Sequence, residues 1–376
     1  MSVPMSVLDE RLICEVVRRA AGEPTAQVVD WRLEPFSYPT TNPSTISFAR
    51  LHAVVADEGS RRSVSAFAKT IGSMRHSPIL EFVPPAMREA AIAGFPWHVE
   101  ADVYASSLLD DLPDGLRAPA VYAVEELPDE RARLWIEDVR PVAAPWDIAR
   151  YAAAARALGR LAARWPVARI ETALPRQAPF LRSLMESRVR EAVIPVLRDA
   201  ATWTNPVVAG SVDPALRDEL LALWDDAPGI LAALERLPRT GAHGDACPQN
   251  LLVTDDSLVA IDWGMAGPQP VGFDLGQLLA GRAESMELDA DDMAAVHAEI
   301  LPAYLDGMRA EGADPDAAAV HVGYVGSLLL RSAFTSLPFE LLRDPSGTNL
   351  GPMIASRARY ARFLLGLRSG QPTAGV

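Results

Sequence analysis

The sequence predicts an α+β fold in two parts: a small N-terminal antiparallel-sheet part, residues 1–140, and a larger, mainly helical part, residues 141–376. Three observations carry this. Three β-like runs follow one another near the start with short polar turns between them, the pattern of an antiparallel meander. After Pro141 the chain becomes rich in Ala and Leu at helical spacing. A chain of 376 residues also suits two or three units at roughly 150 residues each.

Ser6 reads as an N-cap, and Leu8, Leu12, Val16 and Val17 give an amphipathic helix over 6–21 that stops at Gly22. The three β-like runs are Val28–Phe36, Ile46–Ala56 and Val64–Ile71, parted by the turns Tyr38–Thr45 and Asp57–Arg62. A helix is expected over Pro96–Leu109, then strands at Val121–Glu126 and Arg133–Val139. Trp146–Trp165 is a strong helix, and further helices are expected at 178–201, 213–224 and 228–236. A short hairpin at 251–261 interrupts them before helices at 273–281 and within 289–368. The Pro-rich pieces 78–96 and 266–270 read as loops, and no internal repeat is found.

Composition removes several function classes. The net charge of −14 argues against non-specific affinity for nucleic acid or an anionic membrane. Two cysteines, Cys14 and Cys247, are too few for a secreted disulfide framework. The start lacks a basic segment followed by an apolar one, and no run of about 18 apolar residues occurs. A cytoplasmic enzyme is therefore the expectation. Of 35 basic residues, one alone is lysine, at position 69. Where arginine is otherwise universal, the exception suggests a need for a compact ammonium on a flexible stem.

The strongest local signal is His243-Gly-Asp-Ala-Cys-Pro-Gln-Asn250, followed by Asp262-Trp-Gly264. Between them lie two apolar runs around the polar turn Thr254–Ser257. Pairing Val253 with Leu258 sets Leu251 opposite Ala260 and Asn250 opposite Ile261. The hairpin thus carries Asn250 alongside Asp262, while Asp245 sits on the loop leading in. One amide oxygen and two carboxylates around a point suit a hard cation plus a general base, and Mg²⁺ takes one or two protein oxygens alongside waters and phosphate. The spacing matches the kinase pattern H-x-D-x4-N followed by D-x-G, with Gly replacing Arg after the His.

Lys69 falls on the third predicted strand, where a kinase lysine meets the α/β-phosphates and pairs with a glutamate of the next helix. Glu100 is the expected partner and Glu89 the rival. No glycine-rich loop lies between the first two strands, so Ser44 and Thr45 are the candidates to reach phosphate oxygens. A P-loop is excluded, since G-x4-G-K-[ST] is absent. The backbone near Glu137 and Val139, where the last strand runs into the joint, is the candidate adenine contact. Cys247, inside the loop without a flanking motif, reads as inert.

On Lys69, Glu100, Trp135-Ile-Glu-Asp-Val139, His243-Gly-Asp-x4-Asn250, Ile261-Asp-Trp-Gly264 and Gly272-Phe-Asp-Leu275, nearly the whole chain resembles the aminoglycoside phosphotransferase family and its choline kinase relatives. That resemblance implies a bilobal protein-kinase-like fold and ATP-dependent transfer of the γ-phosphate to a hydroxyl of a small molecule. It implies Asp245 as catalytic base, Asn250 and Asp262 as Mg²⁺ ligands, and Lys69 on the phosphates. It makes Asp274 a brace of the catalytic loop and His243 a packing residue. The acceptor stays open between an aminoglycoside-type antibiotic and a metabolite such as an amino alcohol or sugar, since nothing in 282–376 points to one. A non-catalytic nucleotide-binding protein is the other class, opposed by the joint presence of Lys69, Asp245, Asn250 and Asp262. A protein kinase is opposed by the glycine-free loop and the missing Ala-Pro-Glu segment.

Overall fold

The computed structural model describes residues 8–38, 42–57, 60–83, 85–175, 179–255, 257–343 and 349–368. Helix α1 (Glu10–Ala21) leads into β1 (Gln27–Phe36), β2 (Thr45–Asp57) and β3 (Ser60–Gly72). Asp9, not Ser6, caps α1: its carboxylate accepts from the Arg11 N–H, and Gly22 ends the helix at φ 67°. Ser6 lies outside the described residues. Short helices α2 (Arg88–Gly94) and α3 (Val99–Ala105) follow, then β4 (Leu116–Arg117), β5 (Val121–Leu127) and β6 (Arg131–Glu137). The five long strands form one sheet in the order β1-β2-β3-β6-β5, with every neighbouring pair antiparallel.

Strand alternation divides the labour of this sheet. One face carries Ala66, Ala68 and Trp135 and is covered by Ile13, Val16 and Val17 of α1. The other carries Lys69 opposite Leu134, together with Ile71 and Ile136, and joins the main core with α3. Covering one face with an apolar helix leaves the lysine face for chemistry.

Helix α4 (Ile148–Arg164) begins the helical part, capped by Asp147, whose carboxylate accepts from the Arg150 N–H. It is followed by α5 (Val167–Ala173), α6 (Phe180–Leu184), a wide-turned π segment at Met185–Val193, α7 (Ile194–Arg198), α8 (Ala200–Thr204) and α9 (Pro206–Ala209). Helix α10 (Ala215–Glu235) is continuous, contrary to the expected break before Pro228. An interior proline forfeits one helical bond at a cost of about 3 kcal/mol. The apolar stripe Leu216, Leu220, Leu223, Ala227 and Leu234, all buried, outweighs it.

Four short strands follow: β7 (Arg239–Ala242), β8 (Leu251–Val253), β9 (Leu258–Ala260) and β10 (Gly267–Pro270). The hairpin has the expected register, Val253 with Leu258 and Leu251 with Ala260. The stretch 266–270, expected as loop, contains β10, which pairs antiparallel with β7. A two-stranded ladder tolerates prolines at positions whose missing N–H faces away from the partner. Helices α11 (Phe273–Glu284), α12 (Ala290–Ala310), α13 (Ala317–Leu328) and α14 (Leu350–Arg368) complete the chain. Gly159 of α4 and Gly307 of α12 let the two helices touch backbone to backbone: a Cβ on Gly159 would lie 2.1 Å from the Tyr304 carbonyl oxygen, and one on Gly307 2.1 Å from that of Arg156. Among the described residues no helix is long and apolar enough to cross a membrane.

Candidate active site

The site grows from two elements that meet under the sheet. Lys69 projects from β3, and Glu100 sits in the first turn of α3. Their ion pair is 2.6 Å long and both side chains are buried. The same ammonium reaches Asp262 Oδ1 at 2.9 Å. Glu89, the rival partner, lies exposed on α2. Burial disfavours the Lys69 ammonium, but the Glu100 and Asp262 carboxylates outweigh that and hold it protonated, above the ordinary lysine value. Burial also pushes Glu100 up to about 7, with Lys69 pulling down and Asp262 pushing up. For Asp262 the burial effect loses to the Lys69 ammonium, so its carboxyl stays below the usual range.

Asp262 has a left-handed backbone, φ 61° and ψ 60°. A non-glycine residue there is strained by about 1–3 kcal/mol, and such strain collects at functional sites. The turn aims the carboxylate back at β3. From the first-strand turn, Asn42 Nδ2 lies 3.5 Å from Asp262 Oδ1.

The catalytic loop hangs on Asp274. Its two carboxylate oxygens accept the N–H groups of His243 (2.9 Å) and Gly244 (2.8 Å). Burial pushes the Asp274 carboxyl up, opposed by His243 and these two donors. His243 is fully buried and packs against Trp263 in a tilted contact, with ring centroids 4.4 Å apart. Its Nδ1 accepts from the Asp245 N–H at 3.2 Å, which leaves Nε2 to donate to the Ile261 carbonyl at 3.0 Å. One imidazole thus ties the Asp245 loop to the Asp262 turn. Gly244 adopts φ +83°, and a Cβ there would lie 1.9 Å from the Met265 carbonyl oxygen; the glycine after the histidine is a steric requirement.

Asn250 clasps Asp245 through its amide nitrogen, which donates to the backbone carbonyl (2.9 Å) and to Oδ2 (3.0 Å) of Asp245. The Asn250 amide oxygen is the atom left for a cation. The Ile261 N–H donates to the Asn250 carbonyl at 3.0 Å, which sets Asn250 beside the residue before Asp262. The Glu100–Lys69–Asp262 cluster and the Asn250–Asp245 clasp are thus joined through the Ile261 backbone.

The structure places the remaining expected residues differently. Ser44 is buried, its N–H and hydroxyl both donating to Asn42 Oδ1 at 3.0 and 2.8 Å. Its hydroxyl is thus spent on the Asn42 side chain, which closes the turn on it. The Thr45 hydroxyl has no partner among the described residues. Residues 39–41 of that turn lie outside the described residues. The Glu137 N–H is taken by the Ala120 carbonyl at 2.8 Å, and its carboxylate holds Arg117 at 2.7 Å. Val139 follows β6 outside regular structure. Beside it, Asp138 is tied to Arg50 of β2 at 2.9 Å.

Two features escaped the sequence. Phe36, Phe48 and Phe67 form an aromatic cluster, each centroid 5.8 Å from its neighbours. Phe48 pairs directly with Lys69 across β2 and β3, and Phe67 lies two residues before it, so both share the lysine face. Alternation along β3 could have found this; the pairing register could not be read locally. The second is Arg331, whose Nη2 lies 2.5 Å from Asp245 Oδ1. It is 86 residues away in sequence, and no motif surrounds it.

A model of the APH phosphotransferase enzyme family matches residues 75–311, more than half of the 376. The chain belongs to this family. As a member it is a phosphotransferase with an alcohol group as acceptor. The matched segment begins after Lys69, so the likeness of the β3 lysine rests on the fold. Among solved structures the phosphotransferase is similar to an aminoglycoside phosphotransferase from Alicyclobacillus acidocaldarius, at 15% identity and a TM-score of 0.52, covering 98% of this chain and 97% of that one. It is similar to a spectinomycin phosphotransferase solved with ADP and spectinomycin, at 9% identity and a TM-score of 0.50, covering 96% and 99%. A choline kinase from Cryptosporidium parvum shows 12% identity and a TM-score of 0.49, covering 96% of each chain. The first two likenesses show the protein-kinase-like fold. No curated protein sequence matches the chain.

Proposed function

We propose that this phosphotransferase moves the γ-phosphate of ATP to a hydroxyl of an antibiotic-like, aminoglycoside-type or small metabolite acceptor, with Asp245 as the base. The observation that carries this is the convergence of two clusters: Lys69 held between Glu100 and Asp262, and Asn250 clasping Asp245, joined through the Ile261 N–H that donates to the Asn250 carbonyl one residue before Asp262. Its parts match what phosphoryl transfer needs, which is mostly positioning and neutralised charge. Lys69 is held protonated by two acids and is a fixed cation for the α/β-phosphates. Phe67 and Phe48 offer an apolar seat for adenine, and the backbone at Val139, outside regular structure, is the candidate for its hydrogen bonds.

The donor chemistry fits a hard divalent cation. The Asn250 amide oxygen is freed because the amide nitrogen is tied to Asp245, and the Asp262 carboxylate is held ionised. Among the described residues no group of three or more His, Cys, Asp or Glu forms a metal site, so Mg²⁺ here would rest on Asn250, Asp262 and phosphate oxygens. When bound it supplies neutralisation of phosphate charge. Asp245 orients the acceptor hydroxyl and takes its proton late, which needs no unusual basicity in a loose transition state.

The test is ADP release from MgATP against a panel of aminoglycosides, other antibiotics, amino alcohols and sugars, with wild type and Asp245→Ala in parallel. Acceptor-dependent release by wild type is expected to vanish in Asp245→Ala while nucleotide affinity persists. Loss of nucleotide affinity together with turnover, or equal release by both proteins, would overturn the role given to Asp245.

A further inference from the structure

We infer that Arg331 is a positioning residue for the base: its guanidinium fork holds the Asp245 carboxylate at the angle from which it meets the acceptor hydroxyl. The inference rests on the proposed role of Asp245. Arg331 Nη2 donates to Asp245 Oδ1 at 2.5 Å, and Nη1 donates to the Gly244 carbonyl at 2.5 Å. The fork thus grips the loop at two points, one on backbone and one on the reacting side chain. Asn250 Nδ2 donates to the other oxygen, Oδ2, at 3.0 Å. With a donor on each oxygen the carboxylate plane cannot turn about its last torsion, and each oxygen keeps a lone pair for an incoming hydroxyl. A lysine in the same place keeps the charge but offers no planar fork.

The guanidinium is itself held rigidly. Its carbon lies 5.1 Å from the Phe180 ring centroid and 6.0 Å from that of Phe273, within the range of cation–π attraction. Nη2 also touches the Met265 sulfur at 3.8 Å. Arg331 stands on a π-helical segment, Leu329–Ala333, whose other four members are buried. Such widened turns are rare and recur at functional sites. Here the wide turn comes directly after α13 and presents Arg331 to the loop. The glycine required after His243 leaves that position without a side chain of its own. The cation beside the base therefore comes from a separate helix, with two aromatic rings against its guanidinium.

Fixing a reacting group in its productive orientation is worth up to about 100-fold when lost by an ångström-scale displacement. Arg331→Ala should therefore lower kcat about 10- to 100-fold while KM for MgATP and affinity for a fluorescent ADP analogue stay unchanged. Millimolar guanidinium, used as the probe, should restore turnover saturably and raise the thermal midpoint of Arg331→Ala. It should do neither for Arg331→Ala/Asp245→Asn, where the carboxylate is gone. Arg331→Lys guards against misfolding of the alanine variant and should give an intermediate kcat with unchanged nucleotide affinity. Turnover is read as ADP release with water or with any acceptor found in the panel, and the midpoint shift reads the contact without turnover. Wild-type kcat in Arg331→Ala, with Asp245→Ala inactive, would sink the inference and leave the base standing. Full turnover in Asp245→Ala would sink the base itself. A fall in kcat and midpoint with no guanidinium response in either readout would reduce Arg331 to a structural contact.

Discussion

Glu100→Gln tests the core of the site because it copies a permanently protonated Glu100 without changing its shape. Lys69 Nζ and Glu100 Oε2 are 2.6 Å apart, with the residues 5% and 2% exposed, so screening by water is slight. At an effective dielectric of about 20, one pair at that distance is worth roughly 6 kcal/mol of gross attraction. Much of this is offset, since the variant no longer desolvates a carboxylate beside Asp262. A buried charge that loses its partner usually costs about 3–5 kcal/mol. Lys69 keeps Asp262 at 2.9 Å, so a net loss of about 2–3 kcal/mol is expected. With about 2.1 cal/mol/K of unfolding entropy per residue, that is a fall of roughly 3 °C in the thermal midpoint. The functional effect should be of similar size. Lys69, no longer drawn to α3, turns fully to Asp262 and leaves the phosphates. One charge-assisted bond of about 1.5–3 kcal/mol is then lost, and affinity for a non-hydrolysable ATP analogue with Mg²⁺ falls about 10- to 100-fold. Calorimetric titration and thermal melts read the two numbers. Unchanged nucleotide affinity alongside the expected melting shift would show that Glu100 only stabilises the fold and refute its part in the site.

Other substitutions and one labelling experiment extend the test. Lys69→Arg keeps the charge but cannot fit a planar fork between two acids at 2.6 and 2.9 Å, so kcat/KM should fall by about 30-fold or more, a loss of about 2 kcal/mol; wild-type kinetics would make the lone lysine incidental. Gly244→Ala meets both the positive φ and the Met265 carbonyl at 1.9 Å, and should lower stability by about 3 kcal/mol or more in urea titration, with loss of turnover. The Cys247 thiol is pushed up to about 12, chiefly by burial and then by Asp245. In native protein at pH 8 it should alkylate with iodoacetamide far more slowly than Cys14, and equally fast in denaturant; rapid native labelling would contradict the inert role.

Much of the fold was legible because its signals are local. The strands β1, β2, β3, β5 and β6 follow from alternation and turn residues, and the long helices from apolar periodicity. The misses share one cause, packing that overrides a local breaker. Where two helices, 213–224 and 228–236, are expected, a buried apolar stripe carries one helix through Pro228. Pro268 and Pro270 marked a loop that β7 recruits into a ladder.

The sequence by itself determined the chemical inventory. A single lysine on a predicted strand, a His-Gly-Asp-x4-Asn loop and Asp-Trp-Gly across a countable hairpin are short-range patterns, and each sets a residue type at a backbone position. Only the tertiary structure decided which groups share a point in space. It gathered Phe36, Phe48 and Phe67 beside Lys69, and brought Arg331 onto Asp245 from 86 residues off. Contacts between distant segments depend on how whole helices and sheets pack, and no local pattern of residues encodes that packing.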